Sequence, residues 1–304
     1  MEQVTSKYAD WTRGHVESLI NILGEKNAEE LRRGNLSVEF KEVIKKLFDK
    51  HGRRVPQGLK VNVCDADRNF WLNQPKLETK VDYANRITRL HCSLSRDTGI
   101  TTEQLKTETE RLLALIRGNP QIANIANGVW LPIILPKLIT DDIGAELEQY
   151  LEGVGRSYVK TFGDRKFFNF RKGTLANEVG NVDDGSQHNQ LIKRMKQGPV
   201  MGIHFPNPLQ GFSINASREQ MSTLPKGVIS SGIDTVIAMA TYPDILARDW
   251  NTPNLDLAAF FWQSATSYSL SFETFGDTLH FNCTSNLTDG CREKSSGLLF
   301  SQWA

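Results

Sequence analysis

Two carboxylates separated by one residue close an apolar, alternating stretch, Val61-Asn62-Val63-Cys64-Asp65-Ala66-Asp67. Oxygen ligands so placed suit a hard divalent cation, and a metal between them cancels their mutual repulsion. Asp65 and Asp67 are therefore the expected metal ligands, with Mg²⁺ as the ion. His188 lies near Asp183, Asp184 and Ser186 in a stretch of turn formers, where an imidazole titrates close to neutral pH and can meet a substrate. His188 and Asp67 are the expected catalytic residues, His188 as the acid/base. Together these residues point to a metal-assisted enzyme acting on a phosphorylated small molecule or nucleotide. The plainer reading of Asp-Ala-Asp is a solvated turn.

A second constellation is basic and aromatic. Between Arg156 and Lys196 there are nine Lys or Arg against four acids, interleaved with Tyr158, Phe162, Phe167, Phe168 and Phe170. Rings and cations displayed together can stack bases while neutralising phosphates. Lys166, Arg171 and Lys172 are the expected phosphate contacts. They support the alternative function, a non-enzymatic module that binds nucleic acid or another anionic partner. Strand alternation sends Lys166, Phe168 and Phe170 to one face and Phe167 and Asn169 to the other, so some of the rings serve the core.

The seven residues from Val61 to Asp67 are similar to the strand-end D-x-D of haloacid-dehalogenase-type phosphatases, and to the metal-binding D-x-D of some sugar-nucleotide transferases. In the phosphatases the resemblance implies a nucleophilic first acid and a general-acid second. This chain departs from that pattern at Asn69, where Thr or Val is expected. It supplies only Gly232-Ile233-Asp234 as a downstream acidic motif.

Other signatures are missing. There is no G-x-x-x-x-G-K-S/T, G-x-G-x-x-G or G-x-S-x-G, and the six histidines show neither H-x-x-x-H nor H-E-x-x-H spacing. His204 and His280 each precede a phenylalanine in an expected strand, which suggests that they face each other in one sheet. Four cysteines with no C-x-x-C read as reduced thiols, although Cys283 and Cys291 flank a turn and are close enough in sequence to meet.

The elements that position these groups follow from periodicity. Trp11 to Leu23 and Val38 to Phe48 repeat near 3.6 residues and end at Gly24 and Gly52, giving a helical amino-terminal region over residues 1–55. An α+β domain follows over 56–304. Its helices are expected at Lys80–Leu94, at Thr102–Arg117 behind a Thr101/Gln104 capping box, after Thr140, at Asp234–Ala240 and at Leu255–Ser264. Strands are expected at 59–64, 128–135, 200–205, 211–214, 268–275, 279–281 and 298–300, with a hairpin over Ser157–Phe170. Residues 172–190 read as a mobile loop. The fold class is α+β, a mixed and largely antiparallel sheet with flanking helices.

Composition bounds the partners. With 304 residues, 36 Lys+Arg and 35 Asp+Glu, the chain carries a formal charge of +1 and no global field towards polyanions. The longest apolar stretch, Ile125–Ile139, holds two prolines and a lysine and falls short of the ~20 residues of a spanning helix. No membrane partner is expected, and the amino terminus lacks an export pattern, which predicts a cytoplasmic location.

Overall fold

The computed structural model describes residues 20–36, 45–57, 63–65, 81–182 and 187–302. The chain divides into two units, residues 1–44 and 45–304. In the first, α1 (Glu25–Arg32) exposes every side chain in part and carries the i,i+3 pair of Arg32 with Glu29.

In the second unit, helix ends are written in side-chain chemistry. The Thr101 hydroxyl accepts from the Gln104 amide at 3.2 Å while the Gln104 side chain accepts from the Thr101 amide at 2.8 Å, and α3 (Thr102–Gly118) begins there. Asp82 caps α2 (Tyr83–Leu94), and Asp142, rather than Thr140, caps α4 (Ile143–Phe162). The remaining helices are α5 (His188–Gln197), α6 (Ile214–Met221), α7 (Ile233–Thr241) and α8 (Pro243–Leu246). All nine residues of α7 are buried, Asp234, Thr235 and Thr241 among them. It packs against α4, α2 and the sheet strands described next.

Ten strands are formed among the described residues: β1 (Leu131–Leu135), β2 (Lys166–Asn169), β3 (Val179–Asn181), β4 (Val200–Gln210), β5 (Val228–Ser230), β6 (Asn254–Asp256), β7 (Phe260–Trp262), β8 (Tyr268–Phe275), β9 (Thr278–Asn286) and β10 (Lys294–Phe300). The main sheet runs β1-β4-β10-β6-β8-β9-β2, with β5 also on β10; only β10/β6 and β9/β2 are parallel. This is the α+β class, a mixed and mostly antiparallel sheet. β1 holds Pro132 at the sheet edge, where a missing N–H costs no ladder bond, and the Pro132 carbonyl accepts from the buried Tyr242 hydroxyl at 2.6 Å. β10 follows every other strand in the chain yet lies inside the sheet, joining β4 on one side to β5 and β6 on the other.

The sheet separates two cores. Ile203, Phe205 and Leu209 of β4 pack with Leu112 and Ile116 of α3. Leu299, Leu255, Phe272 and Phe281 pack with α4 and α7 on the other face. Among the described residues no helix is long and apolar enough to cross a membrane.

Several expected elements are different. Ser157–Phe162 completes α4, because Leu147, Leu151, Val154 and Tyr158 continue one helical stripe to Gly163, where φ reaches 72°. Only β2 remains of the expected hairpin, and it pairs with β9. Leu255–Ser264 is not a helix: it holds β6 and β7, with a 3₁₀ turn at Gln263–Ala265. Residues 211–214 turn into α6, capped by Ser213, instead of forming a strand. Within 172–190 lie β3 and the start of α5. Residues 45–52, expected in the second amino-terminal helix, are not helical; Phe48 bridges to Arg54, which is buried and donates to Leu47, Val55 and Thr223. The expected helix over Trp11–Leu23 lies mostly outside the described residues, as does the strand at 59–64.

Candidate functional site

Asp65 is exposed, just beyond Cys64, whose amide donates to the Gly211 carbonyl at 2.9 Å. Asp67 lies outside the described residues, as do Asp183, Asp184 and Ser186. His188 is fully buried as the first residue of α5, with Nδ1 3.0 Å from the Ser230 carbonyl and its ring edge-on to Phe260 at 5.0 Å. Burial holds its imidazole below the usual histidine range against the charge of Asp234. Ser230 pairs with Leu298, which pairs with Phe205, whereas Asp65 sits at the Gly211 end of β4. Six residues of strand separate these levels, roughly 20 Å. The structure therefore does not bring Asp65 and His188 together, and among the described residues no three His, Cys, Asp or Glu side chains are grouped to hold a metal.

The basic aromatic segment is arranged differently. Phe167 turns inward beneath α4, where a Cβ on Gly155 would lie 2.9 Å from its ring. Phe168 and Phe170 turn outward and remain 42% and 53% exposed. On the adjacent strands Phe275 is 69% exposed, and His280 stands opposite Phe168 across the β2/β9 pairing. Phe168 and Phe170 are nearly parallel at 6.1 Å, His280 meets both edge-on at 5.5 and 5.3 Å, and Phe275 lies parallel to His280 at 6.2 Å. Four rings thus form one outward cluster on β2, β8 and β9. Lys166 and Lys172 are exposed beside it. Arg171 is half-buried, donating from Nε to Asn282 at 2.9 Å with its guanidinium 4.8 Å from the Trp262 ring. Glu273, opposite His280, and Asp277, in the β8/β9 turn, are the nearby acids.

His280 does not face His204; β10, β6 and β8 lie between their strands. His204 instead belongs to a buried polar centre that sequence reasoning missed. Its Nδ1 is 2.8 Å from Asp234 Oδ2, which also accepts from the Ser231 hydroxyl at 3.0 Å, while Oδ1 accepts from the Gly232 amide at 2.7 Å. Ser231 is also hydrogen-bonded to Thr235. Burial pushes the Asp234 carboxyl up, but the hydrogen bond and charge of His204, with the Gly232 amide, outweigh it and hold the group below its ordinary value. His204, Asp234 and Ser231 are all inaccessible to solvent. The imidazole fits because β10 has a bulge at Gly297, where a Cβ would stand 2.8 Å from His204 Cε1. A signal existed: Asp234 is the lone charge in a mostly apolar helix, and a buried carboxylate demands partners. The serine here bonds to the carboxylate and no solvent reaches the imidazole, so the cluster ties the β5–α7 turn to β4.

Cys283 and Cys291 are both free thiols, each pushed up to about 11 chiefly by burial. The fold and surface define an α+β protein with an open aromatic sheet face. Compared with known proteins, the chain matches no family model, no curated protein and no solved structure.

Proposed function

We propose that this protein binds single-stranded nucleic acid on the outer face of β2, β8 and β9. The observation that carries the reading is the exposure of Phe168, Phe170 and Phe275 as neighbours around His280. Burying such a ring is worth about 1.5–3 kcal/mol, so a cluster left in water marks a surface that a partner covers. Unpaired bases offer flat faces that stack on rings regardless of sequence. Lys166 and Lys172 flank the rings with flexible cations suited to the phosphates between stacked bases, and Arg171 adds a third positive charge. Glu273 and Asp277 temper the field, so stacking supplies more of the affinity than charge does.

The test is fluorescence anisotropy of a labelled oligo-dT or oligo-U against the full chain. Binding should weaken with added salt, and Phe168→Ala/Phe170→Ala should raise Kd by at least about tenfold, since each stacked base contributes roughly 1–3 kcal/mol. Salt-insensitive binding, no binding, or an unchanged Kd in the double variant would overturn the proposal.

A further inference from the structure

Where β4 begins, the surface opens into a cleft of about 610 Å³. Helix α3 contributes Glu108 and Arg111, α5 contributes Gln190 and Arg194, and the approach to β5 contributes Lys226 and Gly227. Its apolar part is Pro199, Val200 and Met201. Glu108, the acid among the described lining residues, is already engaged: Arg111 donates from Nε and Nη2 to its two oxygens, both at 2.7 Å. Arg194 donates to the neutral Gln197 side chain at 3.1 Å, and neither Arg194 nor Lys226 is ion-paired with a carboxylate among the described residues. Gln187 fixes the cleft geometry, because its side chain accepts from the Gly227 amide at 3.2 Å and so ties the start of α5 to the segment before β5.

A recess of this volume is in the range of small-molecule sites. Two cations from separate elements that carry no ion pair among the described residues, in one lining with Pro199, Val200 and Met201, match a ligand with an anionic end and a flat or apolar end. We infer that this cleft binds a phosphorylated small molecule of nucleotide size, with its phosphates between Arg194 and Lys226 and the remainder against Val200 and Met201. The site is separate from the aromatic face on β2, β8 and β9, and the inference does not depend on that reading.

Isothermal titration of the full chain with inorganic pyrophosphate and with ADP tests it. ADP should bind more tightly than pyrophosphate, because only ADP reaches the apolar patch. Arg194→Ala/Lys226→Ala should weaken both at least about tenfold, given the usual strength of hydrogen bonds to charged groups. Both side chains are exposed, so the variant should melt like the parent. Absence of binding in the parent, or equal affinity in the double variant, would overturn the inference. The two readings fail separately: the cleft variant should keep its oligo-dT affinity, and Phe168→Ala/Phe170→Ala should keep its pyrophosphate affinity.

Discussion

Asp256 lies in β6 between Ser296 of β10 and Ser271 of β8, and it is only 2% exposed. Its Oδ1 has no hydrogen-bond partner among the described residues. Burial pushes the carboxyl up from 3.8 to about 6, against the opposing hydrogen bond from Ser285 and the charge of Lys294. The folded state therefore holds the proton more tightly than the unfolded chain. Stability from this group is fully present below about pH 4 and is lost as pH rises through 6. The displacement corresponds to about 3 kcal/mol at pH 8. Asp256→Asn keeps the shape and an acceptor for Ser285 while removing the charge. At pH 8 the variant should be more stable than the parent by up to about 3 kcal/mol, less ~1–3 kcal/mol if its new amide donors stay unsatisfied. The pH slope does not depend on that second amount. Urea unfolding at intervals from pH 4 to 8 should show the parent losing stability relative to the variant by about 3 kcal/mol across the series. Parallel curves for the two proteins would refute the reasoning.

Other perturbations probe different parts of the molecule. Asp234→Ala strips His204, Ser231 and Gly232 of their shared acceptor and should cost about 3–5 kcal/mol in urea unfolding. Because the Asp234 carboxyl is held below 3.8, its contribution is present above that pH and lost on acidification; Asp234→Asn should flatten the acid limb of a stability curve. Gly144→Ala drives a methyl into the Leu175 carbonyl, and since backbone cannot yield as a side-chain tip does, the loss should reach at least about 1–3 kcal/mol by thermal melting. Lys166→Ala/Lys172→Ala should reduce the dependence of log K on log salt for oligo-dT by about 1.4, two single-strand phosphate contacts; an unaltered slope would place the phosphates elsewhere.

Local rules were readable wherever neighbours in sequence decide the outcome. The Thr101/Gln104 cap and the outward alternation of Phe168 and Phe170 both depend on residues within a few positions of one another. Ser157–Phe162 looked strand-like because Tyr, Val and Phe favour strands, but Tyr158 lies beneath the same surface as Leu151 and Val154, and that packing overrode propensity. Around Phe260 a short apolar run carried no periodicity able to separate strand from helix. The buried polar centre was hidden for a different reason. His204 and Asp234 are thirty residues apart, and only the folding of α7 onto β4 brings them within hydrogen-bonding reach. The acidic pair at Asp65 shows the converse: a suggestive local spacing does not by itself bring in a distant histidine.

The position of β10 has a consequence for biosynthesis. Without residues 294–300 the main sheet has nothing to join β1-β4, β5 and β6-β8-β9-β2, so a chain that has not yet added that segment leaves three pieces with bare edges. Long-range pairing of this kind slows folding and leaves intermediates prone to self-association. A chaperone that occupied those edges would be released by the arrival of one seven-residue segment.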